Sequence, residues 1–243
     1  MSKVAAIFKL NSVALNQNWN KIATYVALPK LGEGFYTPLD AAKILQLDQK
    51  QARYWFRNYA RRKLESGRGH RYYFDAGDTY AVNFYTLIEM FVFYSLKNYG
   101  VSAQKILTAH NVISNVLDTP YPFALQDMFV GGGEVFFNYT KGEIIRADKS
   151  MQIMMDEIIM PFCQKIEYGK DKLAEKYFPL GPQTKVVVDP KHQFGYPTIK
   201  GTNIIVDVIA DMREGGESIE SISKLYGISR SAVKDAVEYA TAA

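Results

Sequence analysis

The chain has 243 residues, of which 48% are hydrophobic and 22% charged, with a net charge of +4. Such a composition suits one large or two to three small ordered domains and shows no sign of long disorder. The single cysteine, Cys163, excludes an internal disulfide and suits a reducing, cytoplasmic compartment.

The positive charge is concentrated in one place. Asp48 to Arg71 holds eight Lys or Arg against two acids, so the rest of the chain is slightly acidic. The three histidines, His70, His110 and His192, are far apart in sequence and have no Cys or acid partners at ligand spacing, so no metal site is expected. No stretch supplies a nucleophile with its base, a paired-carboxylate site or a phosphate loop, so neither catalysis nor a cofactor is expected. The N-terminus lacks a clean signal peptide, because Lys9 and Asn11 interrupt its apolar run.

Residues 1–34 are broken by Pro29, Gly32 and Gly34 and read as an arm. Thr37 then offers an N-cap with Pro38 at the first helical position, and Ala41, Ala42, Ile44 and Leu45 supply an apolar face. Leu47-Asp48 turns the chain, and Asp48 caps a second, basic helix. On that helix Ala52, Trp55, Phe56 and Tyr59 recur on one side and should bury, while Arg53, Arg57 and Arg61 project from another. Two short helices joined by a tight turn, the second one basic, make a helix-turn-helix. Glu65 to His70 is a Gly-rich turn and Arg71 to Phe74 favours a strand, which together resemble a wing with basic tips. The candidate contacts to double-stranded DNA are therefore Gln49, Lys50, Arg53, Tyr54, Arg57, Arg61 and Arg62 on the helix, with Arg68, His70 and Arg71 on the wing.

These residues resemble a MerR-type winged helix-turn-helix. The resemblance rests on Tyr36-Thr37, Ala42, Ile44-Leu45, Arg53-Tyr54-Trp55, Arg71-Tyr72-Tyr73, Asp75 and Asp78, and continues through Leu87, Ile88, Gly100-Val101-Ser102 and Ile106. It implies a second helix in the major groove and a wing on phosphate. The chain departs from the regulators of that family in lacking a long dimerisation helix and a cysteine-based effector site.

Thr79 to Tyr99 reads as one helix, apolar almost all round, with Glu89 its only charge up to Leu96. Such a helix is either covered by the winged domain and middle region or forms an oligomer interface, and the polar residues within it argue against a membrane span. Residues 118–183 form a small mixed α/β region. Tyr121-Pro122-Phe123 breaks the preceding helix, Gly131-Gly132-Gly133 reads as a plain turn, and Val135 to Tyr139 as a strand. Ser150 to Cys163 is a helix whose Met151, Met154 and Met155 face a core or a partner groove.

From residue 184 a short buried strand, Lys185 to Val188, leads to the loop Gly195 to Thr202 and three helices: Ile204 to Glu214, Ser218 to Tyr226, and Ser229 to Ala240. The last two form a second helix-turn-helix, but residues 184–243 hold seven Lys or Arg against eight Asp or Glu. Without a phosphate-neutralising excess, this homeodomain-like, trihelical module points to protein contact. Phe194 and Tyr196, on a loop fixed by Gly195, Pro197 and Gly201, together with Asn203, are the candidate partner contacts. The alternative for the two rings is that they cap the trihelical core.

The C-terminal stretch resembles predicted antitoxins of bacterial type II toxin–antitoxin systems. The matching residues include Asp189-Pro190, Gly195, Pro197, Ile199 to Thr202, Gly216, Ser218 and Tyr226 to Ser229, and longer VapB-type members carry a Pro-Phe-Ala motif, here Pro122 to Ala124. Asn203 stands where that family usually has arginine. The resemblance implies an antitoxin that binds operator DNA and neutralises a PIN-like ribonuclease, with the metal-binding carboxylates on the toxin's side. A free-standing regulator with an effector site in the middle region, or an RNA-binding adaptor, are the other readings. The expected architecture is α+β and mostly helical, with an arm (1–34), a winged helix-turn-helix (35–117), a mixed middle region (118–183) and a trihelical module (184–243). A homodimer is expected, since DNA sites are commonly two half-sites related by symmetry.

Overall fold

A computed structural model describes residues 32–60, 72–75, 77–98, 100–126 and 164–242. The expected strand at Val135 to Tyr139, the triple glycine and the helix from Ser150 to Cys163 lie outside these residues, as does most of the arm. The fold is mixed α+β, with seven α-helices and three two-stranded antiparallel sheets among the described residues.

Thr37 starts helix α1 (Pro38–Leu45) through a reciprocal capping box with Asp40: the Asp40 amide donates to Thr37 Oγ1 and the Thr37 amide to Asp40 Oδ2. Gln46, at φ 54°, ends the helix, and Asp48 caps α2 (Gln49–Trp55) by accepting from the Lys50 and Gln51 amides. The chain then widens into one π-helical segment, Phe56–Ala60. Ala52, Trp55, Phe56 and Tyr59 are all buried, as their spacing predicts.

The apolar run at 79–99 divides. Tyr80–Ala81 is strand β2, paired with β1 (Phe74–Asp75), and α3 begins only at Phe84 and runs to Asn98. The break lies at Asn83, whose Oδ1 accepts the Thr86 amide and so caps the helix, while Val82 pairs with Tyr36. A short apolar run does not distinguish strand from helix by periodicity, which is why the sequence reads as one helix. Helix α3 is covered by the chain itself: Phe93 packs on Trp55 and Tyr59, and Phe91 on Tyr177. Helix α4 (Ala103–Val116) and the single turn Pro122–Ala124 close the remaining sides. That coverage removes α3 as an oligomer interface.

A hairpin that the sequence does not announce, β3 (Ile166–Tyr168) with β4 (Ala174–Tyr177), joins this core through Ile166, Ala174 and Tyr177. Strand β5 (Val186–Val187) pairs with β6 (Thr198–Ile199), inside the stretch read as a loop. Helices α5 (Val206–Glu214), α6 (Ile219–Tyr226) and α7 (Arg230–Ala242) follow, with Ser218 and Ser229 capping the last two. They enclose a second core of Val186, Ile199, Val206, Ile209, Ile222, Val233 and Tyr239.

The two cores are not cleanly separable in sequence. Val188 belongs to the first, and its backbone exchanges hydrogen bonds with Tyr177 at 2.8 and 3.0 Å. A cut at residue 183 would therefore open the first core as well as remove the trihelical module.

Candidate functional site

Helix α2 is held on one side and open on the other. Its buried side rests on α3, where Trp55 and Phe93 meet edge to face and Tyr94 donates to the Gln51 carbonyl at 2.8 Å. The opposite side leaves Gln49, Lys50, Arg53, Tyr54 and Arg57 exposed. Among the described residues neither Arg53 nor Arg57 has a carboxylate within ion-pair distance, so both guanidinium groups stay available to an external anion. They line a groove of about 520 Å³ that runs to the turn end of the β1–β2 hairpin, with Thr37 and Leu39 on one wall and Asp78 and Tyr80 on the other. Leu39 and Tyr54 present apolar surface to solvent beside the arginines, which suits contact with the sugar and base edges of a groove. Arg61, Arg62, Arg68, His70 and Arg71 lie outside the described residues.

The base of this unit is polar in a way its sequence conceals. Glu89, in the middle of α3, is 1% exposed and accepts from the Phe123 amide at 2.8 Å and the Ala124 amide at 3.3 Å. Its other oxygen lies 2.9 Å from His110 Nε2 on α4, off the hydrogen-bond line. Tyr72 donates to the Pro120 carbonyl at 2.7 Å, and Asn83 to the Tyr121 hydroxyl at 2.9 Å. Burial pushes the Tyr121 phenol up to about 12, against a smaller lowering by its bonds to Asn83 and Thr86. These bonds fix the Pro122–Ala124 turn under α3. The separation of the histidines in sequence therefore misled in one respect, because His110 meets an acid through the fold.

The second candidate surface is the loop between β5 and α5. Phe194 is 71% exposed and Tyr196 46%, so neither ring caps the trihelical core, and Asn203 is also exposed. Gly195 lies against Tyr36, the residue just before the α1 cap. The Tyr36 ring is buried, and burial, reinforced by the carboxylates of Asp189 and Asp40, holds its phenol well above the usual tyrosine range, so it stays neutral. Lys43 on α1 pairs with Asp207 on α5 at 2.7 Å. The segment that opens α1 and the loop before α5 thus share a contact. Among the described residues no group of His, Cys, Asp and Glu could hold a metal ion, and no helix is long and apolar enough to cross a membrane.

Residues 186–240 match a family described only as a protein of unknown function, DUF433. Over 169 residues the chain is 27% identical to the "Putative antitoxin VapB45" of Mycobacterium tuberculosis, covering 64% of this chain and 70% of that one. It is also 32% identical over 75 residues to an uncharacterized protein of the same organism, Rv2308, across 29% of this chain and 32% of the other. The crystal structure of Rv2018 from Mycobacterium tuberculosis has the same fold, with a TM-score of 0.65 at 19% identity, over 83% of this chain and 96% of that one. The chain therefore resembles a protein of toxin–antitoxin type.

Proposed function

We propose that this chain is an antitoxin that represses its own operon and neutralises a PIN-like ribonuclease encoded beside it. The antitoxin reading is supported by the similarity to VapB45 across most of both chains. The observation that carries DNA binding is the open side of α2 and its π-helical extension. There Arg53 and Arg57 are exposed, without a carboxylate in ion-pair range among the described residues, while the opposite side packs into the core. In this reading residues 35–117 act as a MerR-like winged helix-turn-helix on double-stranded DNA. Arg53, Tyr54 and Arg57 face the major groove. Gln49, Lys50, Arg61 and Arg62 flank them, and Arg68, His70 and Arg71 contact phosphate. Residues 184–243 meet the toxin through Phe194, Tyr196 and Asn203. The protein works in the cytoplasm, with no cofactor and no chemistry of its own.

Arg53→Ala tests the DNA part. A bidentate arginine–guanine pair is worth about 1–3 kcal/mol of discrimination. Binding to the duplex upstream of the gene, followed by fluorescence anisotropy, should weaken about 10-fold or more, while binding to random duplex changes little. Equal losses on both would make Arg53 a phosphate contact only. The same reading expects a homodimer on DNA, because a single module of this kind gives a small interface. With α3 covered, the dimer surface falls to the trihelical module, where Val208 and Leu225 are exposed. Sedimentation at micromolar concentration, with and without the duplex, checks this, and a monomer in both would refute it.

A further inference from the structure

Gln193, Phe194 and Gly195 have φ values of 47°, 55° and 87°, three left-handed residues in succession. That region is unfavourable for any side chain with a Cβ, and two of the three carry one. The turn is nevertheless closed from every side. The Gly195 amide donates to the His192 carbonyl at 2.8 Å and the Tyr196 amide to the Gln193 carbonyl at 3.0 Å. Gln193 Nε2 donates to the Asn203 carbonyl at 3.3 Å. What this strained frame displays is Phe194, in water and outside both hydrophobic cores. A ring held there contributes no burial to the fold, and strain of this kind concentrates at binding sites.

Beside the turn lies a cavity of about 410 Å³, walled by Lys176, Asp189, His192, Lys200, Thr202 and Asn203. Most of its charges are already engaged. Asp189 accepts the Lys191 amide at 2.9 Å and lies 3.2 Å from His192 Nδ1, and Lys176 pairs with Glu167. Lys200 differs. Its ammonium sits 4.8 Å from the Phe178 ring, with no carboxylate in ion-pair range among the described residues. Lys200 thus lines the same cavity as His192, where the turn begins, and Asn203, whose carbonyl braces it, and among the described residues it has a ring but no carboxylate beside it.

We propose that the Phe194 turn and Lys200 form one docking surface for a protein whose apolar cleft is rimmed by carboxylates, the ring filling the cleft and the ammonium meeting the rim. Nucleic acid would also stack on a phenyl ring, but residues 184–243 have one acid more than they have bases, and backbone binding needs the reverse. This surface rests on the antitoxin reading and specifies the chemistry of the toxin face it meets.

The test is calorimetric titration of the full chain with the purified ribonuclease encoded by the adjoining reading frame, beside thermal unfolding of each variant. Asparagine tolerates the left-handed region, so Phe194→Asn should keep the melting temperature within about 2 °C of wild type. Its Kd should rise about 30-fold or more, as for an aromatic anchor, and Phe194→Tyr should restore most of the affinity. Lys200→Glu should weaken binding about 10-fold or more, and wild-type affinity should fall with added salt. A melting temperature lowered well beyond 4 °C in Phe194→Asn would make the ring structural and overturn the proposal. Unchanged affinity in Phe194→Asn would sink it alone, leaving the antitoxin reading intact. No binding by the wild-type chain would sink both, and Phe194-dependent binding of single-stranded RNA instead would overturn the assignment to a protein.

Discussion

Glu89→Ala should lower the melting temperature by about 10 °C, a large effect for one substitution in a chain this size. The carboxylate is 1% exposed and answers three groups at once: the Phe123 and Ala124 amides, and His110 at 2.9 Å. Removing it leaves two amides and the His110 ring buried without their acceptor, a loss of about 3–5 kcal/mol in all at about 1–3 kcal/mol for each unsatisfied group. Glu89→Gln keeps an acceptor for the two amides and should cost less than half as much. Glu89→Ala and His110→Ala together should cost clearly less than the two losses added, since each leaves the same pair broken. Additive losses, or an Ala variant within 2 °C of wild type, would show that the pair is not coupled. If the chain binds DNA as proposed, that binding should follow stability here, because Trp55 and Tyr59, on the inner side of the basic segment, both rest on Phe93, one turn along α3 from Glu89.

That pair also marks where reading the sequence stops. Helix caps are local, so Thr37, Asp48, Ser218 and Ser229 are legible from a few neighbouring residues and stand where expected. The division of α2 into a buried apolar side and an exposed basic side is legible for the same reason, since it needs only helical spacing. Glu89 in its apolar run shows that something polar must be buried, but not what answers it. His110 and the Pro122–Ala124 turn reach it through the packing of α4, which no spacing rule gives. The β3–β4 hairpin is hidden by its composition. Ile166 to Tyr177 holds Lys170, Asp171, Lys172, Glu175 and Lys176, so its few inward residues do not alternate cleanly with polar ones. At the candidate partner loop, glycines and proline announce turns, and the exposure of Phe194 fits a displayed ring. Two consecutive left-handed residues with side chains are not announced, because neither Gln nor Phe favours that region. Least legible is the join between α1 and α5, where Lys43 and Asp207 meet across 164 residues of sequence.

Gly195→Ala should expose that join directly. A Cβ at position 195 would lie 2.0 Å from the Tyr36 hydroxyl oxygen and 2.7 Å from Cζ, and φ there is +87°. The left-handed backbone and the overpacked contact together cost about 3 kcal/mol, lowering the melting temperature by roughly 6–10 °C. Gly201→Ala is the internal control. Its φ is +79° but nothing lies within 4 Å of the added carbon, so it carries only the backbone cost, about 1 kcal/mol. Tyr36→Phe separates the contact further. The Tyr36 hydroxyl is buried without a hydrogen-bond partner among the described residues, so removing it should be neutral or slightly stabilising. In that background Gly195→Ala should cost less than in the wild type, and this non-additivity is the signature of direct contact. Equal losses at 195 and 201, or strict additivity with Tyr36→Phe, would mean that the loop only lies near Tyr36. Where the contact holds, the strain has one way out. Tyr36 exchanges two backbone hydrogen bonds of 2.9 Å with Val82, next to β2, and precedes the Thr37 cap of α1. Pressure at Gly195 therefore reaches the start of α1, one wall of the groove that holds Arg53 and Arg57, and the strand β2 whose Tyr80 belongs to the other.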